Sequence, residues 1–213
     1  MINIFLVDDH DIVRFGIRSL LDKEKDIKVV GEADNGEDAV KQCRALEPDM
    51  VLMDLDMPGL GGMEATKRIL HHCPDTRVLF LSMHKDNALP AKVMETGAWG
   101  YITKDAGPQQ MLQAIFKVHS GQKFLTPEMA QQIAISRCGG DSQNPFEKLS
   151  QREMEIMLML TRGERVLDIA AKFNVTPKTV NTHRYRMFDK LGVSGDVELT
   201  RLAIKHNVIS SDI

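Results

Sequence analysis

Five short apolar runs, each followed by a segment of helical spacing, constrain the first half of this chain more than any other feature. The runs are Ile2–Val7, Ile27–Gly31, Met50–Met53, Val78–Leu81 and Trp99–Ile102. The middle runs are continuous and aliphatic, as strands covered on both faces must be. In the first intervening segment Ile12, Val13, Gly16, Ile17, Leu20 and Leu21 recur at i, i+3 and i+4, the spacing of one helix face. Further helical segments cover about 36–46, 63–72, 87–96 and 108–119. Pro48, Pro74 and Pro108 fall in the connections, where a missing amide donor is tolerated. Gly31, Gly97 and Gly121 punctuate element ends. Five repeats of strand then helix predict an α/β doubly wound, five-stranded parallel sheet.

Such sheets place ligands at the carboxyl ends of their strands. The first strand ends in Val7-Asp8-Asp9-His10, the third in Met53-Asp54, the fourth in Leu81-Ser82 and the fifth in Thr103-Lys104. Three carboxylates, a hydroxyl and an ammonium therefore converge. Carboxylates crowded together repel unless a cation sits among them. Mg²⁺ suits these ligands, because it takes oxygen donors and bridges to phosphate. With it in place, a carboxylate can attack a phosphoryl group and become an aspartyl-phosphate. Asp54, on the middle strand, is the predicted nucleophile. Asp8 and Asp9 are the predicted metal ligands, Lys104 the neutraliser of a phosphoryl oxygen, and Ser82 a hydrogen-bond donor to another. The alternative is a set of solvated carboxylates that cap helices. His10 reads as a surface residue at a helix start, and His71-His72 beside Cys73 lacks a second cluster that would make a metal site.

The second half is different in kind. Thr126-Pro127 opens a helix to about Arg137, and residues 138–147 have linker composition. From there on the pattern is helical throughout. Ser150 with Glu153 is a capping box. Val166, Ile169, Ala170 and Phe173 form a stripe that ends at Asn174, and Thr176-Pro177 opens the next helix. Two helices joined by a short turn are the helix-turn-helix pattern. In the second of them Val180, His183, Met187 and Leu191 share the core face, while Lys178, Asn181, Thr182 and Tyr185 lie opposite, flanked by Arg184, Arg186 and Lys190. Cations pair with phosphates and short polar groups reach base edges. The alternative for this face is a solvated surface with salt-bridge charges.

Composition supports the division. The net charge of -3 averages a net of -5 over residues 1–149 and +2 over residues 150–213. Between Lys172 and Lys190 five basic residues stand against one acidic. The 43% of hydrophobic residues suffices for packed cores and argues against a disordered chain. Cys43, Cys73 and Cys138 form no CxxC pair and read as reduced thiols. No apolar run is long enough for a membrane span, and Met1-Ile2-Asn3-Ile4 does not begin a secretory leader. The expected location is cytoplasmic.

Asp8-Asp9, Asp54 followed by Met57-Pro58-Gly59, Ser82, Tyr101 and Lys104 resemble the receiver domain of two-component response regulators, over about residues 1–121. The resemblance implies a flavodoxin-like fold and phosphoryl transfer to Asp54 from a sensor histidine kinase or phosphotransfer domain. It also implies Mg²⁺ contacted by Asp8, Asp9, Asp54 and the backbone carbonyl of Asp56, and Ser82 with Tyr101 as a switch pair. Taken alone, Tyr101 reads equally as a sheet-edge aromatic, and Asp56 and His84 read equally as simple surface residues or, lying near the expected site, as groups that tune water attack. Met83 departs from the pattern, which has a small residue there, and its bulk is expected to restrict access to Asp54.

Leu149-Ser150-Gln151-Arg152-Glu153, Thr179-Val180-Asn181-Thr182-His183 and Lys190-Leu191-Gly192-Val193 resemble the LuxR-type helix-turn-helix, a four-helix all-α domain expected over 148–213. The linker between the two is expected over 122–147. Joined, they resemble the NarL/FixJ family. Residues 185–191 and 195–200 are similar to its GacA/UvrY subgroup. That likeness implies a hybrid kinase of the BarA/GacS type. It also implies dimeric binding of promoter DNA when phosphorylated, and control of genes for small RNAs that sequester a CsrA-type repressor. The candidate DNA contacts are Lys178, Thr179, Asn181, Thr182, Tyr185, Arg186 and Lys190. The last helix, about 196–207, would supply a homodimer surface through Asp196, Val197 and Thr200. A phosphohydrolase of the haloacid-dehalogenase type is the rival from another class, since Asp54-Leu55-Asp56 resembles its DxD start. Pro58 stands where that pattern needs threonine, and no cap insert is visible. A third reading is an interaction-only receiver with a decayed DNA domain.

Overall fold

A computed structural model describes residues 1–55, 57, 59–83, 88–137, 145–206 and 208–209. The chain divides into two compact units, residues 1–83 with 93–127, and residues 84–92 with 128–213.

The first unit is built on a five-stranded sheet of β1 (Ile2–Val7), β2 (Ile27–Ala33), β3 (Met50–Asp54), β4 (Arg77–Ser82) and β5 (Gly100–Thr103). The order is β2-β1-β3-β4-β5 and every pair is parallel. The order reverses direction beside β1 and β3, so a crevice opens at their carboxyl ends, as doubly wound sheets require. β3 is central and all five of its residues are buried. Its unbroken apolar run follows from being covered on both faces.

The intervening helices are α1 (Asp11–Leu21), α2 (Gly36–Leu46), α3 (Gly62–His72), α4 (Ala88–Glu95) and α5 (Pro108–His119). Asn35 caps α2, its side-chain oxygen accepting from the Asp38 amide at 2.8 Å. Ile17 and Leu21 of α1 join the core with Ile4, Leu6 and Leu52 of the sheet, and Val13 and Leu20 pack at its edge. Ile12 does not share that face, being 87% exposed. At 100° per residue it points well away from Ile17, so the core stripe is Val13–Ile17–Leu20–Leu21.

In the second unit α6 (Pro127–Arg137) is followed, beyond residues 138–144, by a 3₁₀ turn (Pro145–Lys148) that buries Phe146. Then come α7 (Gln151–Thr161), α8 (Val166–Lys172), α9 (Pro177–Leu191) and α10 (Asp196–Lys205). The capping box at Ser150 is formed in full. α8 and α9 are joined through Asn174, which takes the left-handed conformation at φ 52°. Asparagine tolerates it because its short side chain bonds locally. The Thr176 hydroxyl then accepts from the Thr179 amide at 3.2 Å and starts α9. Met154, Ile169, Val180, Met187 and Leu199 supply the core of this four-helix domain.

Candidate functional site

The carboxyl ends of β1, β3 and β5 bring Asp8, Asp54 and Lys104 together. Lys104 Nζ lies 2.6 Å from Asp8 Oδ2 and 3.0 Å from Asp54 Oδ2. Asp8 is 0% and Asp54 1% exposed. Burying charge is costly unless it is paired, and here one ammonium serves two carboxylates. Burial alone would lower the Lys104 pKa, but the charges of Asp54 and Asp8 outweigh it and hold the ammonium above its usual range.

Backbone contacts align the strand ends. The Leu55 amide donates to Leu81 O at 3.2 Å, and the Lys104 amide to Ser82 O at 2.8 Å. Gly62, the first residue of α3, lets that helix approach β3. A Cβ there would lie 2.1 Å from the carbonyl oxygen of Asp54. Glu37, at the start of α2, accepts from the Leu60 amide at 3.0 Å and ties down the loop after β3. Ser82 ends β4 fully buried, and Tyr101 is fully buried on β5, the edge strand. Met83 is 69% exposed. Asp56 and His84 lie outside the described residues.

One donor atom each from Asp8, Asp9, His10 and Asp54 falls within 4.8 Å of the others. Three of the four are carboxylates, a donor set suited to a hard divalent cation. His10 is the member that sequence reasoning set aside. It is exposed at a helix start, as expected, yet its Nδ1 lies 2.8 Å from Asp9 Oδ1. Arg14 is a further participant, donating to the Asp8 carbonyl at 2.6 Å and ion-paired with Asp11 and Glu32. Its position one turn after the acidic pair was the available signal.

On α9, Lys178, Thr179, Thr182, Tyr185, Arg186 and Lys190 are exposed and Asn181 is half-buried. Val180, Met187 and Phe188 are buried on the other side. His183 is half-buried at that boundary, and burial lowers its pKa. The cations are not equivalent. Lys190 Nζ lies 2.6 Å from Glu153 Oε2. Arg184 forks onto Asp196, with Nε 2.8 Å from Oδ1 and Nη2 2.5 Å from Oδ2. Burial would raise the Glu153 pKa, but hydrogen bonds from Lys190 and Ser150 hold it below the ordinary carboxylate range. On α10, Val197 is 67% exposed, Asp196 faces Arg184, and the Thr200 hydroxyl donates to the Asp196 carbonyl at 2.8 Å.

Comparison with known proteins matches both units. Residues 4–116 match the response regulator receiver domain, and residues 147–203 the bacterial regulatory proteins of the luxR family. The chain is 52% identical over 213 residues to the response regulator UvrY of Escherichia coli K12, covering 100% of this chain and 98% of that protein. It is 44% identical over 212 residues to the response regulator GacA of Pseudomonas aeruginosa, covering 99% of each. Among solved structures, the RcsB response regulator of Salmonella typhimurium is similar with a TM-score of 0.83 and 26% identity, over 97% of this chain and 98% of that one. RcsB of Salmonella enterica bound to promoter rprA with the phosphomimetic BeF3- is similar with a TM-score of 0.77 and 26% identity, over 94% and 97%.

Proposed function

The chain belongs to the response regulators that join a receiver domain to a LuxR-family DNA-binding domain, and from that premise we propose that Asp54 accepts a phosphoryl group that gates promoter binding. A member of this family is a regulator and not an enzyme, which leaves the phosphohydrolase reading without support. The observation that carries the proposal is the buried triad, Lys104 Nζ between Asp8 and Asp54 at 2.6 and 3.0 Å.

Asp8, Asp9 and Asp54, with the backbone carbonyl of Asp56, would hold Mg²⁺. The bound ion supplies positive charge that offsets the acid cluster and the incoming phosphoryl oxygens. An Asp54 oxygen attacks phosphorus and the donor's imidazole leaves. Lys104, already between the two carboxylates, stays with Asp8 and pairs with a phosphoryl oxygen. Ser82, at the end of the next strand, donates its hydroxyl to another oxygen, and Tyr101 packs behind it. The donor in this reading is a sensor histidine kinase or phosphotransfer domain. The similarity to GacA and UvrY supports a hybrid kinase of the BarA/GacS type, and small-RNA genes as targets.

The phosphorylated form would bind double-stranded promoter DNA as a homodimer, with α9 in the major groove. Lys178, Thr179, Asn181, Thr182, Tyr185, Arg186 and Lys190 would form the contact face, and Asp196, Val197 and Thr200 of α10 the dimer face. RcsB bound to promoter DNA with BeF3- supports this use of the fold. A phosphoryl group can shift the equilibrium only by interacting differently with the two states. No helix among the described residues is long and apolar enough to cross a membrane, which is consistent with a regulator that works in the cytoplasm.

Labelling with acetyl phosphate and Mg²⁺ tests the reading. The wild type is expected to incorporate one phosphoryl group and Asp54→Ala none. Full labelling of Asp54→Ala would remove Asp54 from its role.

A further inference from the structure

Two cysteines come together at the end of the sheet opposite the acidic cluster. Cys43 lies in the last turn of α2 and is 0% exposed. Cys73 follows α3 directly, its amide donating to the Ile69 carbonyl at 2.7 Å. α2 and α3 pack against each other, and Arg44 and His72, the residues next to each cysteine, are themselves hydrogen-bonded. Cys43 and Cys73 are thus neighbours across the α2–α3 contact, and the Cys43 thiol interacts with both Cys73 and Thr76. Thr76 is anchored in turn, its hydroxyl donating to the Pro48 carbonyl at 2.9 Å.

The two sulfurs differ in access. Burial, then the neighbouring Cys73, push the Cys43 thiol up to about 12, so it stays protonated at neutral pH. Cys73 is half-buried and lines a cleft of about 330 Å³ together with Glu47, Asp49, His72, Asp75 and Thr76. A small oxidant in that cleft reaches Cys73 and not Cys43. Three carboxylates on the rim repel an anionic oxidant and admit a neutral one.

We propose that Cys43 and Cys73 are a reversible redox pair, closed to an intramolecular disulfide by a small neutral hydroperoxide. The Cys73 sulfur attacks the peroxide oxygen and the O–O bond breaks, giving a Cys73 sulfenic acid and one water. The Cys43 sulfur then attacks the Cys73 sulfur. The S–S bond forms, the S–O bond breaks, and the Cys43 proton leaves with the hydroxide as a second water. Two thiols lose two electrons and one hydrogen peroxide becomes two waters. A dithiol reductant reverses the step by thiol–disulfide exchange. Closure clamps α2 to α3 on one side of the sheet, where α3 packs on β3, the strand that carries Asp54.

The test uses the full-length chain with Cys138→Ser, so that two thiols remain. The protein is treated with stoichiometric hydrogen peroxide, alkylated, digested and analysed by mass spectrometry without reductant. The expected product is a peptide pair joined through Cys43 and Cys73, two hydrogens lighter than the sum and released by dithiothreitol. The thiol titre of the denatured protein is expected to fall from two to near zero. Recovery of Cys73 as sulfinic acid beside alkylated Cys43, or of both as alkylated thiols, would overturn the proposal. Adding Cys43→Ser should leave Cys73 as a sulfenic acid under the same treatment, trapped by dimedone as a single adduct. If Cys43→Ser does not fold, adding Cys73→Ser to the same background serves instead, and Cys43 must then stay an alkylatable thiol. Oxidation of Cys43 in that variant would show direct access and refute the two-step route.

Discussion

Replacing Lys104 by methionine isolates what the ammonium does, because the apolar stem survives and the charge does not. In the wild type Nζ lies 2.6 Å from Asp8 and 3.0 Å from Asp54, with the three side chains 5% or less exposed. Without it, two buried carboxylates face each other and one must take a proton for the fold to persist. Holding an ordinary carboxylic acid neutral at pH 7, about three units above its titration, costs about 4 kcal/mol at ~1.4 kcal/mol per unit. That agrees with the ~3–5 kcal/mol found when one partner of a buried ion pair is removed. The same work at pH 5 is about 1.4 kcal/mol. Urea unfolding is followed through Trp99, the single tryptophan, which lies in the first unit just before β5. Metal-free Lys104→Met is expected to lose roughly 2 M in midpoint at pH 7, for a slope of about 2 kcal/mol/M. The loss should be less than half as large at pH 5. Adding Asp54→Asn should recover most of the loss, and millimolar Mg²⁺ part of it. A loss equal at both pH values, or unaffected by Asp54→Asn, would mean that Lys104 acts through packing and that the charge argument is wrong.

Three further outcomes follow from the same geometry. Lys178→Ala and Arg186→Ala should each weaken promoter binding across sequences and reduce the slope of log K against log salt by about 1. An effect confined to one base substitution, read by fluorescence anisotropy, would exclude a phosphate contact. Glu153 is depressed in the folded state, so its stabilisation is present above the ordinary carboxylate range and disappears as pH falls through the lowered value. Lys190→Met should move the acid-unfolding midpoint of the helical unit upward in pH, by circular dichroism, while an unchanged midpoint would show that the pair is solvated away. Gly62→Ala places a Cβ 2.1 Å from the Asp54 carbonyl oxygen, so the start of α3 or the end of β3 must move. A loss of about 1–3 kcal/mol in urea unfolding is expected, together with slower labelling by acetyl phosphate. Wild-type values for both would mean that the helix shifts without disturbing β3.

The sheet and the cluster on it were legible because they rest on one rule. Continuous apolar runs alternating with helical spacing mean parallel strands, and parallel strands collect whatever stands at their carboxyl ends. Asp8, Asp54 and Lys104 are therefore grouped by the sequence pattern alone. What was illegible depends on side-chain direction across elements. Arg14 reaches the Asp8 carbonyl only because α1 packs where it does. Glu37 meets the Leu60 amide across 23 residues. Ile12 matched the helical spacing of α1 and still points outward, since a run of apolar neighbours supports more than one stripe. Cys43 and Cys73 have no spacing that announces a pair. They meet because α2 and α3 are neighbours on one side of the sheet.

The charge pattern of the second unit shows the same limit and a way past it. Five cations between Lys172 and Lys190 suggested a basic face, but a count cannot say which are committed elsewhere. Lys172 pairs with Glu164 at 2.8 Å, Arg184 with Asp196, and Lys190 with Glu153. Among the described residues, Lys178 and Arg186 have no ion pair. To bind a phosphate, Lys190 must first release the buried Glu153 carboxylate, which is then left desolvated beside Ser150. Lys178 and Arg186 break nothing when they bind. Cations already committed contribute less to counterion release on DNA, so the two free ones should carry more of the salt dependence than their share of the charge.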